Sequence, residues 1–427
     1  MSNLDIAFNL FKLMKSQWWT REELENLQNK KFRTIIRYAY ENIPLYHKKF
    51  KRVNIRPEDV KTTSDLKKIP FLTKDDIQNS YPYEIVSPGI DINKCWTPRT
   101  SGSTGKPLTI VYDKNAESFE KASAIRPNLS TGQRLFDKWV VITSPNHTKK
   151  KKWFQKFGFF SPNYLSLFEY PEKQISIMET FNPDIIDGYS SSIFLIAKKI
   201  KENGNRNLNP RIIYGTSEML SKDMRELINF VFNLDMFDQF GCVEMGRTAW
   251  ECSEHAGYHI DAEAVIMEFI KDGENVSQGE RGEIVYTNLY NYSMPLIRYK
   301  IGDVGIPTDE KCPCGRGLPL MKLLEGRKDA FIQLANGKIL SPIVWTILLR
   351  PYQLKQFKVI QEAKNKIKIQ IAQSGKNTNN ELLETINNSI RASLGREIAI
   401  EIEVKDEIPR EHSGKVRSVI SKVNIDW

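Results

Sequence analysis

Cysteine is scarce in this chain. Five occur in 427 residues, an odd number spread along the length, which argues against a disulfide framework and for reduced thiols or metal ligation. Histidine is as rare, also five. No long uncharged apolar run is present to span a bilayer. The opening "MSNLDIAFNLFKLMKSQWW" carries Asp5 early and has no small-residue cleavage site, so a cytoplasmic location without a membrane span is expected. There is no internal repeat and no low-complexity tract. Acidic residues fall short of basic ones, 52 against 62, for a net charge of +10. That balance suits an anionic partner such as ATP, coenzyme A, nucleic acid or an acidic polymer, and does not choose among them.

What is there is a folding composition, 40% hydrophobic and 11% aromatic. A chain of this length is too long for one ordinary core and calls for a large domain plus a smaller one. Its first 95 residues read as helical, with apolar positions at helical spacing in "TREELENLQNKKFRTIIRYAYENIPLYHKKFK". Thr20 is placed as an N-cap ahead of Glu23, and Pro44 ends that helix. Between Lys138 and Asp303, short β-rich runs ("WVVIT", "DIIDGYS", "RIIYGTSE", "GEIVYTNL") alternate with helical ones ("SSIFLIAKKIKEN", "KDMRELINFVF"). The alternation predicts a layered α/β body. The character then changes: "QFKVIQEAKNKIKIQIAQ", a helix "NELLETINNSIRASLG" and "IAIEIEVKDEIP" read β-α-β, a small α+β lid. The basic run "HTKKKKW" at His147 to Trp153 reads as a solvated loop, with a polyanion or a coenzyme A phosphate as the alternative occupant.

One stretch concentrates unusual chemistry. Arg99 to Pro107 reads "RTSGSTGKP", with glycines that let backbone N–H groups turn inward and with Ser, Thr and Lys adding donors, as in a cradle for phosphate oxygens. It fails the Walker pattern, because two residues rather than four separate Gly102 from Gly105, and Lys106 precedes Pro107. Alone, such a cluster is as readily a surface turn. A second concentration involves soft ligands: "ECSEHAGYH" supplies Cys252, His255 and His259, and "KCPCGR" supplies Cys312 and Cys314. Gathering half of the rare Cys and His into two short clusters points to tetrahedral zinc, with unrelated buried thiols as the alternative. A closed structural site on Cys252, His259, Cys312 and Cys314 is expected, with His255 as substitute fourth ligand. Cys95 and Cys242 have no such company and read as packed thiols.

In order along the chain stand "TSGSTGKP", "YGTSEML" at Tyr214, "DQFGCVEMG" at Asp238, "MPLIRYKIGDVG", "CPCGRGLPLMKLLEGRKD" and "IPREHSGKVR". In that order they resemble the adenylate-forming superfamily, and more closely its phenylacetate-CoA ligase and capsular polysaccharide biosynthesis branch. Relatives in that branch carry the same pair of Cys/His clusters. The resemblance implies an α/β fold: a large layered N-terminal body of the acyl-adenylate synthetase type (residues 1–328) and a small mobile lid (329–427) hinged at Asp329. It implies a phosphate loop of Ser101, Gly102, Ser103, Thr104, Gly105 and Lys106. Adenine and magnesium segments would hold Gly215, Thr216, Ser217 and Glu218, then Phe240, Gly241, Cys242 and Glu244, with Glu244 as ligand of a Mg²⁺ bridging phosphates. Asp303 would accept from the ribose hydroxyls, Arg327 would reach ribose or phosphate, and Lys415 would be the catalytic lysine of the lid. The chain departs from the branch at the hinge. "GRKDA" has one aspartate where relatives often have two, and "LANGKILSPIVW" replaces "RGVNVFPSQIE".

The implied reaction is ATP-dependent. A carboxylate attacks the α-phosphorus, pyrophosphate leaves, and the acyl-adenylate is captured by coenzyme A, or by an amine, hydroxyl or carrier protein. The acid should sit beside Tyr189, Ser190 and Gly215, at strand ends where open α/β sheets bind ligands. A zinc-containing nucleic-acid binder is the rival from another class, motivated by the basic charge; no nucleic acid is expected under the enzyme reading. A catalytically silent scaffold in polysaccharide assembly is the third.

Overall fold

Thr20 does open a helix. Its hydroxyl accepts from the Glu23 backbone N–H while the Glu23 carboxylate accepts from the Thr20 N–H, a reciprocal capping box at the head of α2 (Arg21–Asn42). Pro44, which lacks an N–H to continue that helix, serves instead as the first residue of α3 (Pro44–Arg52). With α1 (Asn3–Ser16) and α4 (Lys74–Ser80) these make the N-terminal part helical. In this computed structural model the chain is described except at residues 1–2, 101–107, 144–147, 149, 167–168, 170, 205–206, 218, 328–331, 338, 341–344, 346–347, 350–351, 353, 355, 373–379, 396, 407, 409–417 and 424–427. Two compact units divide it, Met1–Ile301 with Gly305–Leu324, and Gly302–Val304 with Glu325–Trp427.

The first unit is built on a twelve-stranded mixed sheet. Strands β1 (Trp139–Thr143), β2 (Pro162–Ser166), β3 (Ile185–Tyr189), β4 (Ile212–Thr216) and β5 (Phe237–Cys242) run parallel in the order β2-β1-β3-β4-β5. Helices α5 (Lys114–Ser130), α6 (Pro171–Phe181), α7 (Ser190–Asn203) and α8 (Lys222–Phe232) complete this part. Isoleucines of β3 and β4 pack with Ile193, Ile196 and Ile200 of α7 and with Ile228 and Val231 of α8, so the helices cover one sheet face with aliphatic surface.

The expected strand-helix alternation stops at Cys242. Beyond it the sheet continues as β6 (Gly246–Glu251), β7 (Tyr258–Ile260), β8 (Val265–Lys271), β9 (Glu274–Asn275), β10 (Gly282–Asn288), β11 (Tyr299–Thr308) and β12 (Leu320–Arg327). The pairs β5–β6, β6–β7, β8–β9 and β8–β10 are antiparallel and need only short turns, which is why no crossover helices appear there. Among the described residues no helix is long and apolar enough to cross a membrane.

In the second unit, β13 (Ile332–Gln333) and β14 (Ile339–Leu340) pair with each other. A separate four-stranded sheet contains β15 (Gln356–Ala363), β16 (Lys366–Ala372), β17 (Ala399–Val404) and β18 (Val419–Ser421), with α9 (Asn380–Leu394) between β16 and β17 in sequence. The stretch read as the opening β of a β-α-β unit is in fact a hairpin, with Lys364 and Asn365 at the turn. No Gly or Pro marks that turn, and a register shift at Gln361 to Ala363 absorbs its geometry, so periodicity alone ran through it. Strand β16 shows the period of two, with Ile367, Ile369 and Ile371 buried under α9's Ile386 and Ile390.

Candidate functional site

The carboxyl ends of β3 and β4 lie beside the first half of β5, with Gly188 opposite Gly215 and Gly215 opposite Asp238. The space at Gly215 is tight, because a Cβ there would lie 2.7 Å from the Ser190 Oγ and 2.8 Å from the Met236 Cε, so those side chains would have to shift. Glycine is required at Gly241, where a Cβ would collide with the Gly246 carbonyl oxygen at the bulge that closes the β5–β6 hairpin. That bulge carries the chain into the turn that presents Glu244. The turn is pinned by three phenols: Tyr112 donates to the Glu244 carbonyl at 3.0 Å, Tyr290 to the Met245 carbonyl at 3.1 Å, and Tyr299 to the Glu244 carboxylate at 3.1 Å. Glu244 is thereby buried with its carboxylate held in one orientation. Phe240 and Cys242 beside it are half-buried, as is Thr216, while Ser217 is exposed in the left-handed region at φ 67°.

The phosphate-loop residues Ser101, Gly102, Ser103, Thr104, Gly105 and Lys106 lie outside the described residues, as do Glu218, Asp329 and Lys415. The flanks of the loop are paired: the Thr100 N–H donates to the Leu108 carbonyl at 2.9 Å, and Arg99 bridges Thr109. In the second unit, Asp303 is buried within β11, and Arg327 is the last residue of β12. Of the acid-site residues, Tyr189 and Ser190 are buried at the head of α7. The Ser190 hydroxyl has no hydrogen-bond partner among the described residues.

Sequence reasoning passed over a buried polar set near these strand ends. Asn128 of α5 accepts from the Gln239 side-chain amide and from the Arg247 guanidinium, each at 3.0 Å, and the Gln239 Oε1 is buried with no partner among the described residues. Burial pushes the Asp187 carboxyl up to about 6 against the pull of Arg247. Asp238 rises further, to about 7, through burial and then the nearby Glu251 carboxylate, although the Tyr258 hydroxyl donates to it at 2.7 Å. Glu251 itself is gripped by Arg225 through two 2.9 Å contacts. A carboxyl whose pKa is higher folded than unfolded stabilises the fold fully below its unfolded value and loses that contribution as pH rises through its folded value. Stability should therefore fall from about pH 4 to about pH 7 through Asp238, and Asp238→Asn should flatten that slope in denaturation curves taken across the window. An unaltered slope would remove Asp238 as its source.

Cys252, His259, Cys312 and Cys314 converge. Their four ligand atoms lie within 4.8 Å of one another, with Cys252 Sγ 3.5 Å from Cys312 Sγ and Cys314 Sγ 3.4 Å from His259 Nε2. A tetrahedral zinc with its usual bond lengths sets edges of about 3.8 Å between two sulfurs and about 3.5 Å between sulfur and nitrogen. The spacing and the soft donor set both fit such an ion. His255 is not part of the group: its backbone is left-handed, φ 46°, and its ring stacks on Phe237 while Nδ1 lies 3.6 Å from Glu251. The cluster's loop docks on the start of the chain, where Arg316 lies over the Trp18 ring and its Nε donates to Gln17. Cys95 and Cys242 are half-buried against the main core.

Comparison with known proteins adds to this geometry. Residues 331–422 match the CapK C-terminal domain family. A phenylacetate-coenzyme A ligase of Thermus thermophilus is 24% identical over 94% of this chain and 97% of its own. Protein CapK of Staphylococcus aureus is 23% identical, with 94% and 90% covered. Among solved structures, a 2-hydroxyisobutyryl-CoA ligase in its post-adenylation state, bound to an acyl-AMP, aligns with a TM-score of 0.74 at 18% identity, over 96% of this chain and 91% of that one.

Proposed function

We propose that the chain is a member of the adenylate-forming superfamily, in the branch of the phenylacetate-CoA ligases and CapK that it resembles, and that it joins a carboxylic acid to coenzyme A through an acyl-adenylate. What carries this reading is the order of six motifs along a chain that aligns nearly end to end with CoA ligases. In the first step a carboxylate oxygen bonds to the α-phosphorus of ATP and the bond to pyrophosphate breaks. In the second the coenzyme A thiol sulfur, losing its proton, bonds to the acyl carbon and AMP leaves. A carboxylate is a poor acylating agent, and the adenylate supplies its leaving group.

The chain's own residues bind and orient. Ser101, Ser103, Thr104 and the loop N–H groups donate to the phosphates, and Lys106 adds charge. The fixed Glu244 carboxylate, an oxygen donor, fits a Mg²⁺, which would neutralise phosphate charge during transfer. Gly215, Thr216, Ser217 and Glu218 with Phe240, Gly241 and Cys242 form the adenine side, and Arg327 reaches ribose or phosphate. The acid lies toward Tyr189, Ser190 and Gly215, next to the polar set around Gln239. Cys252, His259, Cys312 and Cys314 would hold a zinc ion, whose role would be structural because the four residues would fill its coordination.

Two experiments bear on this. Turnover with ATP, Mg²⁺, coenzyme A and a panel of carboxylic acids should yield AMP and pyrophosphate, and formation of ADP instead would contradict the reading. Asp303→Ala should weaken ATP binding by about 1.5–3 kcal/mol through lost charge-assisted bonds to the ribose, about 10- to 150-fold in Kd. Calorimetric titration with ATP reads this directly, and an unchanged Kd would take Asp303 out of the ribose site.

A further inference from the structure

The lysine run is followed by a group of rings that water should not tolerate without a reason. Trp153 is 69% exposed, Phe157 70% and Phe136 62%, with Leu135 and Phe159 also open to solvent. These residues form one patch. Phe136 and Phe159 have ring centroids 4.5 Å apart, Trp153 and Phe157 6.4 Å, and the Phe160 N–H donates to the Leu135 carbonyl at 2.8 Å. A contiguous exposed apolar patch marks a site of contact with another body.

The segment that carries it has charge of one sign. From Lys138 to Phe168 the sequence holds six lysines and neither aspartate nor glutamate. Lys150, Lys151, Lys152 and Lys156 are exposed beside the rings, and the neighbouring Asp137 is buried and paired with Arg211 at 2.7 Å. We propose that this face docks the protein on an anionic phospholipid surface, with Trp153 and Phe157 entering the headgroup boundary and the lysines meeting lipid phosphates. Aromatic rings favour that boundary, and each lysine near such a surface adds about 1 kcal/mol. Single-stranded nucleic acid also uses lysines and rings, but it needs ring faces free for stacking. Here Trp153 meets Phe154 at 89° and Phe157 at 76°, edge to face, and Leu135 adds an aliphatic side chain. The result is an apolar knob rather than a row of platforms.

Sedimentation of the full chain with phosphatidylcholine vesicles, with and without phosphatidylglycerol, tests this. The expected result is at least about tenfold stronger retention on the anionic vesicles, weakening as salt rises. The pairs Trp153→Ser with Phe157→Ser, and Lys150→Glu with Lys151→Glu, should each lower retention about tenfold, with the melting temperature unchanged because all four side chains are exposed. Equal retention on both vesicles, retention on neither, or tighter capture of a single-stranded RNA than of anionic vesicles would each overturn the proposal.

Discussion

Replacing Lys415 with alanine should cut acyl-adenylate formation at least about a hundredfold, about 2.7 kcal/mol on the barrier. Lys415 stands in "IPREHSGKVR", where Pro409, Ser413 and Gly414 predict a turn that projects a long ammonium. A charge that meets the carboxylate and α-phosphate as the new bond forms stabilises the transition state more than the bound substrates. Transfer from a presynthesised acyl-adenylate should fall much less, since in the proposed mechanism the lysine would serve the first step and the lid would rotate between steps. The two half-reactions are measured separately. Equal loss in both would signal general damage to the lid, and no loss in the first would remove Lys415 from the mechanism.

Purified protein should contain about one zinc per chain. Exchanging Cys312 and Cys314 together for serine should abolish it and lower stability by roughly 5 kcal/mol or more, about 10 °C in melting temperature. The effect is large because the ligands join two segments far apart in the sequence. Cys252 follows β6, His259 lies in β7, and Cys312 and Cys314 precede β12, while Arg316 of the same loop docks on Trp18 near the start of the chain. Without the ion, three thiols and an imidazole would be crowded together, and burial already raises the Cys312 thiol to about 12. Elemental analysis beside thermal unfolding reads both quantities. Metal-free protein with unchanged stability would end the zinc account.

Where one residue type has one local use, the chain could be read directly. Thr20 with Glu23 can make a capping box, and they do. The run "WVVIT" is a strand, as is the "IIYGT" within "RIIYGTSE", and Pro44 separates two helices. The two Cys/His clusters were visible as composition, but the choice between His255 and His259 was not, because it depends on the left-handed turn at His255 and its pull toward Glu251. The polar set of Asn128, Asp187, Gln239 and Arg247 left no local trace, since its members come from α5, β3, β5 and β6 and meet only in the folded sheet. The β15–β16 hairpin escaped for the opposite reason: its turn is made by Lys364 and Asn365 without glycine. For the rings beside the lysine run, the residues were legible but their exposure was not, because apolar residues of that kind are ordinarily core.

The account's central claim is that this chain activates a carboxylic acid by adenylation. Exchange of labelled pyrophosphate into ATP, dependent on an added acid, reports that step whatever acceptor follows. The account predicts exchange with at least one acid of a broad panel, requiring Mg²⁺, proceeding without coenzyme A, and falling about a hundredfold or more in Lys415→Ala. Protein that carries its metal and binds ATP yet catalyses no acid-dependent exchange with any acid would contradict it.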